Sequence, residues 1–396
     1  MAKRRLGVLT GGGDVPGLNP VIAAITENGD DEGFEVIGIK RGWGGLIYQN
    51  PDDKNIIMGT DIKEALHFVK LTKENTRTIY RQGGTVLHTS RVNPVNVASI
   101  TDVGPDLMLY RNLQLDNPVD MTSDALRNIE NLKLDYLVSI GGDDTQSFAV
   151  HLHKKGVNVI AIPKTMDNDI NGTEYAIGFD TAVTRANQFI TDLRTCMGSH
   201  ERIGIIELFG RSAGFVALTT AYATNANRVV IPECEFSEEK LLDYLKKDRE
   251  NNKSKYSLVL MAEGAKRIGD SEEIVKSKNK DLYGHEKLGG IGEIFKEFVE
   301  RKTKRGTVFE ALTYIIRCGD PTDFDQRIGK KYARMTIEHI VRGEYGKMMA
   351  VQDGKLTAVN IDLVTSGKRR VDIDKFYDKE RYLPLNKDWD NTSVML

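Results

Sequence analysis

The chain has 396 residues, enough for two or three domains, and its 40% hydrophobic and 28% charged residues are typical of a globular protein. The 55 basic and 57 acidic residues leave a net charge of −2, which excludes a general basic surface for nucleic acid or an acidic membrane. Three widely spaced cysteines outside any CxxC pattern argue against a disulfide scaffold or a zinc site. Because the sequence shows no signal peptide and no apolar run of roughly 18 residues, we expect a cytoplasmic protein without a membrane partner.

Short β-rich runs alternate with segments of helical period, a pattern that predicts an α/β fold with a parallel sheet. Strands are predicted at residues 6–10, 34–39, 136–140, 157–162, 203–208, 256–262 and 308–316. Helices are predicted from about residue 20, between the strands at 136–140 and 157–162, and at 181–197, 291–302 and 326–341. Residues 251–255 and 268–285 are predicted loops. The tail after residue 369, with Tyr377, Tyr382 and Trp389, is predicted to lie on the surface of the body.

Glycine and charged side chains follow several of these strands. Ligands of parallel sheets bind at the carboxyl ends of the strands. The segments concerned are 11–14 (Gly-Gly-Gly-Asp), 141–145 (Gly-Gly-Asp-Asp-Thr), 163–169 (Pro-Lys-Thr-Met-Asp-Asn-Asp), 209–211 (Phe-Gly-Arg) and Arg317. The pattern therefore predicts one site built from several strand ends. Segment 11–14 alone is weak evidence, since a tight strand–helix turn also explains it, and it is neither a Walker loop nor GxGxxG.

The segment at 141–145 is more specific, because two glycines let backbone approach a phosphate and Asp143 offers Mg²⁺ an oxygen ligand. The alternative is a simple helix N-cap. The segment at 163–169 offers Asp167 as a general base, Asp169 as a second acid, and Lys164 to neutralise a phosphoryl oxygen. A polar surface turn is the alternative here.

Arginines near these motifs suit bidentate recognition of phosphate. They are Arg91, Arg202, Arg211 and Arg317. Any one of them alone is better explained as a surface charge, but four beside glycine or catalytic motifs favour a phosphate site. Glu263, after a predicted strand, could accept hydrogen bonds from sugar hydroxyls. Phosphoryl transfer to a sugar hydroxyl requires a carboxylate that binds a metal ion, a general base and several cations, and these motifs supply all three.

With these motifs the chain resembles the 6-phosphofructokinase family, from residue 6 to about residue 361. The matching elements, in the family's order, are residues 9–14 with 16–19, 83–85 with 89–91, 141–143, 165–169, 177–182, 209–211 and 314–317. The resemblance implies two Rossmann-like three-layer domains with mainly parallel sheets and the active site in the cleft between them. It implies a phosphoryl-donor domain of residues 1–178 plus 317–365 and a sugar-phosphate domain of residues 179–316 plus 366–396.

The resemblance also implies roles for individual residues. Gly12 would contact the donor, Asp143 would bind Mg²⁺, and Asp167 would take the proton from the sugar 1-hydroxyl. The expected sugar-phosphate ligands are Thr165, Met166, Asp167, Phe209, Gly210, Arg211, Glu263, Tyr314, Ile315, Ile316 and Arg317. Arg202 would reach the sugar phosphate of a neighbouring subunit, which implies a homodimer or a homotetramer.

The donor implied by the resemblance is pyrophosphate rather than ATP. Asp144 stands where ATP-using members carry glycine, and Lys164 stands where many of them do. An aspartate there would place bulk and negative charge where a nucleotide α-phosphate lies, and Lys164 would offset the charge of pyrophosphate. Asp144 and Lys164 are therefore expected in the catalytic set with Asp167. Tyr314, where ATP enzymes typically have histidine, also suits pyrophosphate.

The leading hypothesis is reversible, Mg²⁺-dependent transfer from pyrophosphate to the 1-hydroxyl of fructose 6-phosphate. The same reaction with ATP is one alternative. Phe209 replaces the family's methionine and Val308 replaces an expected arginine, which leaves another acceptor such as sedoheptulose 7-phosphate open. A lipid or NAD kinase shares a Gly-Gly-Asp element but lacks the other motifs. The remaining alternative is a non-catalytic sugar-phosphate-binding regulator.

Overall fold

The computed structural model describes residues 3–97, 118–270, 275–280, 286–288 and 290–385, in which strands alternate with helices. The strands are β1 Arg5–Thr10, β2 Glu35–Ile39, β3 Met58–Gly59, β4 Phe68–Leu71, β5 Tyr136–Gly141, β6 Val159–Pro163, β7 Ile203–Leu208, β8 Arg228–Val230, β9 Ser257–Ala262, β10 Val275–Lys280, β11 Glu286–Leu288, β12 Val308–Leu312, β13 Lys347–Gln352, β14 Lys355–Asn360, β15 Tyr377–Asp378 and β16 Leu383–Pro384.

Helices connect most of these strands. They are α1 Leu18–Asp31, α2 Trp43–Tyr48, α3 Lys73–Thr76, α4 Thr122–Asn131, α5 Asp143–Lys154, α6 Phe179–Ser199, α7 Phe215–Thr224, α8 Glu238–Asn251, α9 Ile291–Thr303, α10 Asp323–Val341 and α11 Ile373–Phe376. Short 3₁₀ turns lie at Ile79–Arg81, Tyr314–Arg317 and Ile361–Thr365.

The larger sheet has the strand order β14-β13-β6-β5-β1-β2-β4-β3. Its centre is parallel: β1 pairs with β2 and with β5, and β5 pairs with β6. Thr10 lies opposite Ile140, and Gly141 lies opposite Pro163, so the carboxyl ends of β1, β5 and β6 are side by side. Antiparallel pairs join β4 to β2 and β14 to β13, towards the two margins.

The smaller sheet has the order β12-β7-β9-β8, and all its pairs are parallel. Leu208 lies opposite both Ala262 and Leu312, so β7, β9 and β12 also end at one edge. Every residue of β5, β7 and β9 is buried. Helices cover both faces of a parallel sheet, which is why these strands appear in the sequence as continuous apolar runs.

The fold confirms the predicted class of two Rossmann-like domains with mainly parallel sheets. The domain boundaries given above remain a prediction. The tail packs as expected where it is described: the Tyr377 hydroxyl donates to the Val229 carbonyl at 2.8 Å, and the Val229 amide donates to the Tyr382 carbonyl at 2.9 Å. Trp389 lies outside the described residues. In the described ranges no helix has both the length and the apolar character needed to cross a bilayer.

Two element predictions are wrong. The strand predicted at 308–316 ends at Leu312, because the chain turns at Thr313 into a 3₁₀ segment that exposes Tyr314 and Ile315. The loop predicted at 268–285 contains β10, which pairs antiparallel with β11. Its sequence, Val-Lys-Ser-Lys-Asn-Lys, carries almost no apolar residues, so the apolar pattern that predicts a strand is missing there.

Candidate active site

The loops that follow β1, β5 and β6 leave the larger sheet next to one another. The Gly11 amide donates to the Ile140 carbonyl at 2.9 Å, and the Lys164 amide donates to the Gly141 carbonyl at 3.0 Å. These backbone bonds extend the parallel pairing beyond the strands. The three predicted motifs at 11–14, 141–145 and 163–169 therefore form one surface, as the strand-end rule predicted.

Thr145 explains why two of these loops need glycine. A Cβ atom at Gly11 would lie 2.5 Å from Thr145 Cγ2, and a Cβ atom at Gly141 would lie 2.4 Å from Thr145 Cβ. No real side chain tolerates such a distance. Gln146 then holds the adjoining strand ends, since its amide nitrogen donates to the carbonyls of Ser139 and Ile162 at 3.0 Å each. The spacing between the β1 and β5 loops is thereby determined by packing.

Cations gather at the glycine loop. Lys164 is 3% exposed, and its Nζ donates to the Gly13 carbonyl at 2.5 Å. A Cβ at Gly12 would lie 3.4 Å from that ammonium. Arg317, from the 3₁₀ turn after β12, pairs with Asp14 at 2.5 Å. Burial, followed by the charge of Arg317, lowers the pKa of Lys164 to about 8. The site thus concentrates positive charge where an anionic ligand would relieve it.

Carboxylates gather on the other side of the same edge. Asp143 and Asp169 both approach Lys368 Nζ, at 3.1 Å and 3.3 Å respectively. Asp144 follows Asp143 in the first turn of α5, where its amide donates to Asp143 Oδ1 at 3.0 Å. Negative charge is favourable at a helix N-terminus. Asp169 is 7% exposed, and burial raises its pKa.

Asp167 combines burial with an unused acceptor. Its Oδ1 atom is inaccessible to solvent and has no hydrogen-bond partner among the described residues. Burial, followed by the nearby charge of Asp169, raises the pKa of Asp167 to about 7, while the backbone amide of Arg211 donates to the carboxylate. The Asp167 amide also donates to Thr165 Oγ1 at 3.2 Å. A carboxyl with this pKa is suited to accept a proton near neutral pH.

The smaller sheet contributes the loops after β7 and β9. The Glu263 amide donates to the Leu208 carbonyl at 2.9 Å, and the Gly264 amide donates to the Gly210 carbonyl at 3.1 Å. A Cβ at Gly264 would lie 1.9 Å from the Arg211 carbonyl oxygen, so only glycine permits this approach. Together with the bond from the Arg211 amide to Asp167, these contacts bring Glu263 and Arg211 to the carboxylate side of the site.

Other residues predicted to bind substrate point in different directions. Met166 and Ile316 are buried in the main hydrophobic core, so only their backbone atoms remain to meet a ligand. Phe209 packs partly against the same core. Tyr314, 64% exposed, lies with its ring centroid 5.1 Å from the Arg317 guanidinium carbon. Ile315 is exposed beside it.

Arg202 does not join the other residues in this chain. It is exposed and precedes β7, whereas the loop 209–211 follows that strand. A strand of this length separates the two ends by roughly 20 Å. The predicted role of Arg202 in a neighbouring subunit is compatible with this position.

The order of the strand-end motifs matches a known family. A model of that family, described as phosphofructokinase, aligns with residues 5–340. The chain belongs to the phosphofructokinase family. This membership confirms the predicted phosphotransferase.

Relatives using two different donors are similar to this chain. It is 30% identical over 377 residues to the pyrophosphate–fructose 6-phosphate 1-phosphotransferase of Amycolatopsis mediterranei, covering 95% of this chain and 98% of the relative. The enzyme of the same name from Thermoproteus tenax is 35% identical over 369 residues, covering 93% and 94%. An ATP-dependent 6-phosphofructokinase of Chloroflexus aurantiacus is 34% identical over 357 residues, covering 90% of each chain.

The fold has solved counterparts. A pyrophosphate-dependent phosphofructokinase from Marinobacter aquaeolei aligns with a TM-score of 0.75, covering 98% of this chain and 90% of that one at 14% identity. At this identity the likeness shows the fold alone.

Sequence reasoning missed Lys368 and the pairing of Asp14 with Arg317. Lys368 lies in the charged run Lys368-Arg369-Arg370, which gave no signal beyond a surface tail. Its position beside Asp143 depends on chain segments that are about 200 residues apart. No pattern in a single sequence reports such a contact.

The residues present fit a Mg²⁺ ion. Among the described residues no group of three or more His, Cys, Asp or Glu side chains could hold a metal by itself. Mg²⁺ is usually bound through one or two carboxylates together with substrate phosphates rather than by an all-protein cage. Asp143, next to a cationic surface suited to phosphate, has the chemistry for this mode.

Proposed function

We propose that this phosphofructokinase-family enzyme transfers a phosphoryl group from pyrophosphate to the 1-hydroxyl of fructose 6-phosphate. The products are fructose 1,6-bisphosphate and phosphate, and the reaction is reversible. The observation that carries the proposal is the arrangement at the carboxyl ends of β5 and β6. There a buried lysine, Lys164, lies at the glycine loop, and the carboxylates of Asp143 and Asp167 lie beyond it.

In the forward direction Asp167 accepts the proton of the sugar 1-hydroxyl. The sugar oxygen forms a bond to the nearer phosphorus of pyrophosphate, the bridging P–O bond breaks, and phosphate leaves. Lys164 stabilises the charge on the donor oxygens and on the leaving phosphate. Mg²⁺ would be held by Asp143 and would neutralise charge on the phosphoryl oxygens when the donor is bound. In reverse, Asp167 returns the proton.

Asp144 supports pyrophosphate over ATP as the donor. It lies in the first turn of α5 directly after Asp143, where its bulk and charge would oppose a nucleotide α-phosphate. Lys164 offers a compact cation to the shorter donor. The same reaction with ATP is the alternative, and the donor named for the Chloroflexus aurantiacus relative keeps it open.

The acceptor site is proposed to comprise Thr165, Arg211, Glu263, Tyr314 and Arg317. Arg202 would complete it from a neighbouring copy in a homodimer or homotetramer. The domain roles follow: residues 1–178 plus 317–365 would bind the donor, and residues 179–316 plus 366–396 the sugar phosphate. Sedoheptulose 7-phosphate is the alternative acceptor. As a step of glycolysis the reaction would take place in the cytoplasm.

The test compares initial rates with pyrophosphate and with ATP, using fructose 6-phosphate and Mg²⁺, for the wild type, Asp144→Gly and Asp144→Asn. We expect wild-type activity with pyrophosphate only, and a rise of about tenfold or more in the ATP-to-pyrophosphate ratio of kcat/KM for Asp144→Gly. Asp144→Asn keeps the size of the side chain and removes its charge, so it separates the effect of bulk from the effect of charge on donor choice. Wild-type activity with ATP alone would overturn the donor assignment.

A further inference from the structure

Lys368 lies at the centre of the carboxylate cluster although it comes from a distant segment. Its Nζ is 3.1 Å from Asp143 Oδ2 and 3.3 Å from Asp169 Oδ2, and its side chain is 35% exposed. One ammonium therefore bridges the carboxylate assigned to Mg²⁺ and the last acid of the 165–169 loop. Neither Asp143 nor Asp169 has another ion pair among the described residues.

The backbone holds Lys368 in this place without help from its side chain. Lys368 forms an antiparallel bridge with Ile170, and the Arg369 amide donates to the Asp169 carbonyl at 2.9 Å. Arg369 Nη1 donates to the Asn168 carbonyl at 3.1 Å. On the far side the Val371 amide donates to Glu233 Oε1 at 2.9 Å. Residues 368–371 thus form a strap that runs from the 168–170 loop of the larger sheet to the smaller sheet.

The ammonium and a divalent cation require the same oxygen atoms. An ammonium 3.1 Å from Asp143 Oδ2 repels a second cation at that carboxylate, and a carboxylate already paired gains less by binding it. The lysine can keep Asp169 while it releases Asp143. The exposed fraction of its side chain leaves it room to do so.

We propose that Lys368 is a positioning residue that joins Asp143 to Asp169 in the free enzyme and gives up Asp143 when Mg²⁺ binds. Its charge then determines how tightly the free enzyme holds a divalent cation. Without it, the metal would bind before the donor. With it, the metal enters together with the phosphates that offset the lost ion pair. This inference rests on the proposed role of Asp143 as the metal ligand.

The experiment measures Mn²⁺ binding to the full-length protein by electron paramagnetic resonance, at one pH and without pyrophosphate or sugar phosphate. Lys368→Met should bind Mn²⁺ about tenfold more tightly than the wild type, because the competing cation is gone. Lys368→Arg, which keeps the charge, should resemble the wild type. Lys368→Gln, a second neutral variant, should behave like Lys368→Met and covers the case in which the methionine variant does not fold.

Arg369→Met is the matched control, since it weakens the same strap but touches no carboxylate of the site. Its Mn²⁺ affinity should equal that of the wild type. If the neutral Lys368 variants bind Mn²⁺ no more tightly than the wild type, or if Arg369→Met shows the same gain, the role of Lys368 is overturned. If the double variant Asp143→Asn/Lys368→Met binds Mn²⁺ as tightly as Lys368→Met alone, Asp143 is not the metal ligand. The proposed function is tested separately, by the activity of the wild type with pyrophosphate, and its outcome does not depend on these Mn²⁺ titrations.

Discussion

At the scale of single residues, the ionised form of Asp167 that the reaction needs lowers the stability of the folded protein. Its carboxyl is buried near Asp169, and burial raises its pKa from 3.8 to about 7. Between about pH 4 and pH 7 the folded protein therefore still holds a proton on Asp167 that the unfolded chain has already released. Ionising Asp167 in the folded state, as a base requires, costs stability as the pH rises through this window.

Asp167→Asn removes both the base and the cost of the charge. The forward rate should fall by about 10² or more, because the sugar proton loses its acceptor. At pH 8 the variant should melt about 2 °C or more above the wild type, and the difference should shrink towards pH 5, where the wild-type carboxyl is protonated.

The measurements are initial rates and thermal unfolding at pH 5 and pH 8. Asp192→Asn, at an exposed position of α6, is the control and should shift the melting temperature equally at both pH values. In the wild type, kcat/KM should decline below about pH 7. Unchanged activity in Asp167→Asn would refute the assigned base, whatever the fold.

At the scale of elements, Asp325 connects two helices that flank the site. Its Oδ1 accepts from the Gly178 amide and the Tyr175 hydroxyl at 2.8 Å each, and its Oδ2 accepts from the Thr181 amide at 2.9 Å and its hydroxyl at 2.5 Å. The carboxylate of α10 thus satisfies the N-terminus of α6, where negative charge is favourable. Burial nevertheless raises the pKa of Asp325 to about 6.

Asp325→Ala should lower the free energy of unfolding by about 2–4 kcal/mol, because the buried donors at the start of α6 lose their acceptor. Denaturant unfolding measures the change. Asp323→Ala, at an exposed position two residues earlier in the same helix, should change stability by no more than about 0.5 kcal/mol. Equal effects of the two substitutions would mean that the buried hydrogen bonds contribute nothing specific.

At the scale of the whole molecule, the position of Arg202 bears on the proposed homo-oligomer. Arg202 and Arg211 lie at opposite ends of β7, so one sugar phosphate in one chain does not meet both. If Arg202 acts across copies, a symmetric dimer gives each site Arg211 from one chain and Arg202 from its partner.

Arg202→Ala and Arg211→Ala should each have low activity alone. Hetero-oligomers of the two variants, co-expressed with different tags and purified through both, should recover about half of the wild-type rate, since one site of each pair regains both arginines. Steady-state rates of the purified mixture test this. If the hetero-oligomers do not recover activity, either both arginines act in the site of their own chain or Arg202 lies outside the site.

The sequence alone determined the strand-end motifs and the parallel sheets. Fully buried strands such as β5 and β9 appear as continuous apolar runs, and glycine or charged residues mark their ends. One local signal was overlooked: Asp353-Gly354, with positive φ at both residues, forms the turn between β13 and β14. An Asp-Gly pair between apolar runs is a strong hairpin signal, so this element was within reach of the sequence.

The tertiary structure decided which of these side chains share one place. Asp143 and Asp167 follow neighbouring strands, so their proximity could be predicted from strand order. Lys368 reaches them only because its strap pairs with residue 170, and Arg317 meets Asp14 across more than 300 residues of sequence. Burial, too, belongs to the folded state, and together with the neighbouring charges of Arg317 and Asp169 it moves the pKa values of Lys164 and Asp167 towards neutrality. Local residue type sets what chemistry is present, whereas long-range packing sets which groups interact and how their charges are stabilised.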